Sequence, residues 1–261
     1  MNIDKILNIA VVAGEKIMQY YNEDFAINTK DDQSPVTAAD LEANQYIVNE
    51  LRAETPDIKV ISEEENLPAW DKRQSFNTFW LVDPLDGTKE FINKTDEFTV
   101  NLGLVEAGKP IGGVVYVPAS GELYWAFNNK AWKRHNQQST PIQTKTWQPA
   151  EIVMLLSRSH QSDEIQSLSR HYPTKSLQPM GSSLKYVRIA EGYADLAVRT
   201  QPTSEWDTAA AQAILEAAGG GVRTLDGELL RYNKKSIRNP GFIAFGDTDA
   251  PWKNILTLLN S

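Results

Sequence analysis

The segment Trp80-Leu81-Val82-Asp83-Pro84-Leu85-Asp86-Gly87-Thr88 constrains this chain more than any other. Phe79 to Val82 is an aromatic and aliphatic run that reads as a buried strand. It ends in two carboxylates separated by Pro and Leu, then a glycine and a hydroxyl residue. Pro84 supplies no N–H and fixes φ, and Gly87 admits backbone angles that other residues avoid, so the strand must stop and turn here. Two aspartates three apart on such a turn can face one point, where they repel each other unless a cation lies between them. A hard divalent ion suits such oxygen-only ligands. Asp, Pro and Gly are also ordinary turn residues, so the segment alone fits an Asp-rich turn as well as a metal site.

With 261 residues, 41% of them hydrophobic, the chain can bury a sizeable core as one large domain or two packed lobes. A formal net charge of −8 argues against a basic face for a nucleic-acid polymer. A small anionic substrate stays compatible, because metal ions and a few local cations can offset the global field. There is no cysteine, which excludes disulfides, thiolate metal sites and a cysteine nucleophile. The three histidines, His135, His160 and His171, never fall four apart, which argues against a helical zinc pair. Met1-Asn2-Ile3-Asp4-Lys5 lacks a signal-peptide pattern, and no apolar run approaches a membrane span. The expected location is the cytoplasm, with peripheral association at the inner face of the plasma membrane left open.

Residues 2–21 place Ile3, Ile6, Leu7, Ala10, Ala13 and Ile17 on one helical face. A second helix opens at Thr37-Ala38-Ala39-Asp40 and runs to about Arg52, with Asp40 placed either to cap it or to aim a carboxylate at a cation. Val60-Ile61 is a short strand followed by Ser62-Glu63-Glu64-Glu65, and the abrupt switch from apolar to acidic, as at Asp83, predicts the ends of neighbouring strands. From Phe98 to Trp132 the pattern is β, with strands over 98–105, 111–117 and 123–127. The polar, Pro-containing stretch 139–149 divides an N-terminal lobe, 1–138, from a C-terminal lobe, 139–261. The second lobe alternates: a strand at 152–156, a polar helix near 161–170, a helix at 183–191, a strand at 194–198, an Ala-rich helix at 206–218, a strand at 242–245 and a last helix at 251–259. Alternation of this kind predicts a layered α/β arrangement.

Gly219-Gly220-Gly221 follows a helix and lacks a following Lys-Ser or Lys-Thr, so it reads as a helix stop rather than a phosphate loop. Ser157-Arg158-Ser159-His160 has no Gly-x-Ser-x-Gly elbow and fits a substrate-contacting loop. Ser204-Glu205-Trp206-Asp207-Thr208-Ala209-Ala210-Ala211 sets an acid before a run of small residues. Complementing a helix dipole would explain Asp207 alone, but not the acids at the ends of two strands.

Taken together, Trp80 to Phe91, Ser62-Glu63-Glu64, Pro35-Val36-Thr37-Ala38-Ala39-Asp40 and Trp206-Asp207-Thr208-Ala209-Ala210 resemble the inositol monophosphatase-like, lithium-sensitive phosphatase superfamily. The order and spacing hold from about residue 3 to residue 245. Within it, the chain is similar to the bacterial 3′(2′),5′-bisphosphate nucleotidases of the CysQ type. The resemblance implies a five-layer αβαβα sandwich and Mg²⁺-dependent hydrolysis of a phosphate ester. It implies two or three Mg²⁺ ions and no covalent enzyme intermediate. Glu63, Asp83 and the Leu85 carbonyl would hold one Mg²⁺, and Asp83, Asp86 and Asp207 a second. Glu63 and Thr88 would orient the attacking water, and Asp40 would support a further metal or water. Gly87 and Thr88 would contact the scissile phosphate through their amides.

Substrate choice rests on other positions. Inositol monophosphatases usually carry an acid four residues beyond the Ala-Asp pair matching Ala194-Asp195, where this chain has Arg199. By resemblance His160, Ser182, Lys185 and Arg199 would hold the base or a second, non-scissile phosphate, which Arg binds as a fork and Lys as a point charge. The implied substrate is adenosine 3′(2′),5′-bisphosphate, with AMP and phosphate as products and a place in sulfur assimilation. An inositol or sugar monophosphatase with the same metal core is the first alternative. A catalytically inactive nucleotide-binding regulator is the second. The implied assembly is a monomer.

Overall fold

The computed structural model describes residues 1–22, 38–157, 171–172 and 174–259. Seven strands form the first sheet in sequence order: β1 (Lys59–Ser62), β2 (Thr78–Asp86), β3 (Thr99–Glu106), β4 (Lys109–Val117), β5 (Glu122–Phe127), β6 (Lys130–His135) and β7 (Gln138–Pro141). β1 lies parallel to β2, and every later pair in this sheet is antiparallel. The helices are α1 (Ile3–Tyr21), α2 (Ala38–Glu54), α3 (Trp70–Arg73), α4 (Thr88–Ile92), α5 (Leu184–Ala190), α6 (Ala209–Ala217) and α7 (Trp252–Leu259).

The run Phe79 to Val82 is apolar without alternation because both faces of the sheet are covered. Trp80 and Val82 pack with Ile6, Ala10 and Ile17 of α1 and Ala43, Ile47 and Leu51 of α2. Phe79 and Leu81 point the other way, into a core shared with Leu184, Val187, Ala209, Ala210 and Ile214.

The second sheet has five strands in the order β12 (Gly221–Thr224), β14 (Phe242–Phe245), β10 (Leu196–Arg199), β8 (Ile152–Ser157) and β9 (Thr174–Met180). A two-stranded ribbon joins β11 (Thr203–Ser204) to β13 (Arg238–Asn239). Val153, Leu155, Ala197, Phe242 and Ala244 face the core that holds α5 and α6. Their strand neighbours Met154, Leu156, Leu196, Val198, Ile243 and Phe245 face the opposite side, with Ile255, Leu256 and Leu259 of α7. Three apolar clusters separated by two sheets give the order helix, sheet, helix, sheet, helix. This is the αβαβα sandwich expected above.

Residues 142–151 carry the chain from one sheet to the other, after the polar stretch has contributed its first residues to β7. The expected Ala-rich helix begins at Ala209 rather than Trp206, because residues 206–208 form a turn that hands the chain from β11 to α6. The triple glycine ends α6 as expected, with Gly219 at φ 106°, but its third member already opens β12. The polar helix expected near 161–170 lies outside the described residues, as do Pro35, Val36 and Thr37.

Candidate active site

Parallel pairing of β1 and β2 sets Ser62 opposite Val82, and the Glu63 N–H donates to the Val82 carbonyl at 3.1 Å. Glu63, just past the end of β1, and Asp83, inside β2, therefore lie side by side; the strand does not stop after Val82 as expected but runs on to Asp86 through an irregularity. Asp83 pairs with Asn101 of β3, but Asp86 pairs with Thr99, so β2 carries one residue more than its partner over this step. In an uninterrupted strand, residues three apart face opposite sides. The bulge resets that parity and lets Asp83 and Asp86 approach one point. Pro84 suits the bulge because no ladder bond is asked of it. The Leu85 N–H folds back onto Asp83 Oδ1 at 3.1 Å, and the Thr88 hydroxyl donates to the Leu85 carbonyl at 3.4 Å. Gly87 makes the exit with φ 95°, in the left-handed region that only glycine enters without strain.

Asp207 reaches the same place from the second half of the chain. It sits in the turn before α6, and its Oδ2 accepts the Ser204 N–H at 2.8 Å. The turn is anchored from behind by the buried Glu205, which accepts from the Asn233 and Lys234 amides and the Lys234 ammonium. α6 lies unusually close to the first sheet because Gly103 and Gly113 face it. A Cβ on Gly103 would fall 2.7 Å from that of Ala209, and one on Gly113 2.3 Å from the Ala210 carbonyl oxygen. Small residues on both sides thus bring Asp207 within reach of the acids on β1 and β2.

Glu63, Asp83 and Asp207 each offer a carboxylate oxygen, and these oxygens lie within 4.8 Å of one another. Asp83 is buried, Asp207 is partly exposed and Glu63 stands at the mouth. Loss of solvent raises Glu63 to about 7, with Asp86 and Glu64 adding repulsion. Burial, then Glu63, Asp86 and Asp207, hold Asp83 well above the usual carboxylate range. Burial and Asp86 do the same for Asp207. Asp40, in the first turn of α2 and buried, is raised by burial and then by Glu64 and Glu63. Carboxylates packed this tightly keep protons unless a cation replaces them. The donor set is oxygen only, which fits a hard divalent ion better than a soft metal.

Asp86 belongs to the same electrostatic group, and its Oδ2 accepts from Asn101 Nδ2 at 3.1 Å and the Ser183 amide at 2.6 Å. Asn101, Ser183 and Glu64 thus join residues that sequence reasoning left without a role. A polar Asn inside the apolar run Thr99 to Val105 was the available signal for the first of them. Arg199 is half-buried at the end of β10 and donates to the Ser157 hydroxyl at 2.7 Å. Lys185 is 5% exposed and donates to the Met180 and Ser182 carbonyls at 3.0 and 2.8 Å. Burial lowers its ammonium to about 8, Asp86 supports the charge and Arg199 opposes it. Ser182 takes a left-handed φ of 45°, and its hydroxyl accepts the Leu184 N–H at 3.2 Å. His160 lies outside the described residues.

The inositol monophosphatase family matches residues 2–254, which span all of these acids. The chain is a member of the inositol monophosphatase family. Among family relatives, the 3′(2′),5′-bisphosphate nucleotidase CysQ of Salmonella typhimurium is 46% identical over 247 residues, covering 92% of this chain and 98% of that protein. The protein of the same name from Escherichia coli strain K12 is 44% identical over 243 residues, covering 92% and 98%. Among solved structures, CysQ from Bacteroides thetaiotaomicron, a bacterial inositol monophosphatase family member, superposes with a TM-score of 0.84 at 37% identity, over 94% of this chain and 97% of that one. An inositol monophosphatase from Thermotoga maritima shares the fold, with a TM-score of 0.80 at 23% identity over 99% and 96%.

Proposed function

We propose that this chain is a metal-dependent phosphoric monoester hydrolase that removes the 3′(2′)-phosphate of adenosine 3′(2′),5′-bisphosphate, giving AMP and phosphate. One observation carries the chemistry: Glu63, Asp83 and Asp207 bring carboxylate oxygens within 4.8 Å of each other from three separate segments. The nucleotidase names of relatives at 44–46% identity support the substrate class.

Glu63, Asp83, Asp86, Asp207 and the Leu85 carbonyl would hold two or three Mg²⁺ ions. Such ions, when bound, neutralise the phosphate, lower the pKa of water and stabilise the leaving alkoxide. Glu63 and Thr88 would orient the attacking water, and Asp40, held beside Glu63 and Glu64, would support that arrangement from α2. The Gly87 and Thr88 amides would receive the scissile phosphate. Ser182, Lys185, Arg199 and His160 would bind the base or the second phosphate, with the Arg199 charge close enough to favour ionisation of Asp207. In-line attack by water, without a phospho-enzyme, follows from this set of groups.

No helix among the described residues is long and apolar enough to cross a membrane. A cytoplasmic, monomeric enzyme with a small nucleotide substrate is the reading that fits.

Phosphate release from adenosine 3′,5′-bisphosphate and from inositol 1-phosphate, each with Mg²⁺, tests the proposal. Turnover of the bisphosphate should be favoured by at least about 10-fold in kcat/KM, the scale of one charge-assisted contact. Arg199→Ala should erase most of that preference by raising KM for the bisphosphate alone. Preference for the inositol ester would assign the chain to sugar monophosphate hydrolysis. Tight nucleotide binding without turnover would make it a regulator.

A further inference from the structure

We infer that Asn101 and Ser183 are positioning residues, a polar strut that holds Asp86 and Asp207 in one frame across the junction between the first sheet and the middle helical layer. The inference rests on the metal-binding reading of the site and concerns how its geometry is maintained.

Asn101 is fully buried on β3, opposite Asp83. Its amide nitrogen donates to Asp86 Oδ2 at 3.1 Å and to the Ser183 hydroxyl at 3.1 Å. The second acceptor passes the link onward: Ser183 Oγ donates to the Asp207 main-chain carbonyl at 2.5 Å. The Ser183 amide meanwhile donates to Asp86 Oδ2 at 2.6 Å. Two donors converge on one oxygen of Asp86, so the carboxylate plane is fixed and Oδ1 is the oxygen that neither donor engages. The amide orientation follows from its surroundings, since the reverse would aim a carbonyl at a carboxylate.

A residue serving packing alone would be apolar here. Asn101 instead leaves its own Oδ1 buried without a hydrogen-bond partner. Leaving a buried acceptor unpaired opposes folding, so the benefit of this Asn lies in what its nitrogen holds.

Ser183 is not free to drift from this position. The Gly181 N–H donates to Glu97 Oε2 at 2.8 Å, and Lys185 grips the carbonyls on either side of the turn at Met180 and Ser182. A Cβ on Gly181 would fall 2.4 Å from Glu90 Cγ, so the segment is seated against the first half of the chain with no room to spare. Asp86 comes from β2 and Asp207 from the turn before α6, and among the described contacts this strut ties them directly. Groups that orient a metal's ligands are worth about 10- to 100-fold in metal affinity or activity.

The test is a Mn²⁺ titration of the metal-free protein, without substrate, read by electron paramagnetic resonance. Ser183→Ala, which keeps the amide and removes only the hydroxyl, and Asn101→Leu, which keeps the branched shape without the polar atoms, should each weaken Mn²⁺ binding by about 10-fold or more. The double variant should be little worse than either single one, because both act on one linkage. Ser183→Thr, which restores a hydroxyl, should recover affinity to within about 3-fold of the parent, a rescue that simple packing would not give. Melting in EDTA checks folding, and if Asn101→Leu fails to fold, the Ser183 pair decides alone. Parent-like Mn²⁺ affinity in Ser183→Ala would overturn the strut. Asp83→Asn separates the two levels. If it abolishes tight binding while Ser183→Ala does not, only the strut fails, and if it binds Mn²⁺ as the parent does, the site assignment fails with it.

Discussion

Asp83 shows at the scale of one residue how function and stability oppose each other here. It is buried, follows an apolar strand, and faces Glu63, Asp86 and Asp207, all of which resist its ionisation. Nothing about folding asks for a carboxylate in that position, whereas a cation does. Asp83→Asn keeps the acceptor used by the Leu85 amide and removes an acid that must otherwise stay protonated or be neutralised. In EDTA the variant should therefore melt no lower than the parent, while the rise in melting temperature on adding Mg²⁺ should disappear and turnover should fall by at least about 100-fold. Thermal melts with and without Mg²⁺, beside a phosphate-release assay, read both halves. A variant that melts much lower in EDTA would mean that Asp83 serves the fold.

At the scale of elements, the positions of the acids depend on how α5 and α6 are held against the first sheet. α6 is seated by the glycines of β3 and β4. α5 is seated by a buried charge network. Arg188 of α5 donates through both terminal nitrogens to Glu122 of β5, at 3.0 and 2.6 Å, while Lys133 of β6 bridges Glu122 and Glu191 at 2.5 and 2.7 Å. Burial alone would raise Glu122, but the hydrogen bonds from Arg188 and Lys133 outweigh it and bring the carboxyl down to about 2, against its usual 4.5. A depressed carboxyl contributes stability that is full above its unfolded value and is lost as the pH falls toward the folded one. Glu122→Gln should cost on the order of 2–3 kcal/mol in urea unfolding at pH 7, and the gap from the parent should close between about pH 4.5 and pH 2. A gap that stays constant over that range would show that the loss is one of packing.

For the whole molecule, the site is assembled from one chain. Glu63, Asp83 and Asp207 of the same chain offer oxygens to one place, and Lys185 and Arg199 lie in the same neighbourhood. The net charge of −8 does not conflict with an anionic substrate, since the negative charge near the site is what bound cations would reverse. The monomer proposed above predicts a specific activity that stays constant when the enzyme is diluted 1,000-fold, with sedimentation at both ends giving a single species near the mass of one chain. Activity that falls on dilution would mean that a partner copy completes or supports the site.

Much of this was legible in the residues themselves. Continuous apolar runs marked strands covered on both faces, the spacing of Ile6, Ala10, Ala13 and Ile17 marked a packing helix, and the abrupt change to acid after Ile61 and Val82 marked two segments that prove adjacent, although β2 does not end there but continues to Asp86. Local chemistry suffices for these features, because hydrophobic period and turn residues act over a few positions. The rest required the layers to be stacked. A bulge opposite Asn101, which turns Asp83 and Asp86 to one side, depends on the register of β3, and no residue of β2 reports it. Asp207 reads as a helix residue locally but is a turn residue, because β11 must release the chain before α6 can begin. Asn101 and Ser183 are 82 positions apart, and their link exists only because two helices fill the space between two sheets. Periodicity and turn chemistry are short-ranged, so the chain could announce its acids, and only close packing of glycine and alanine between layers could decide that they meet.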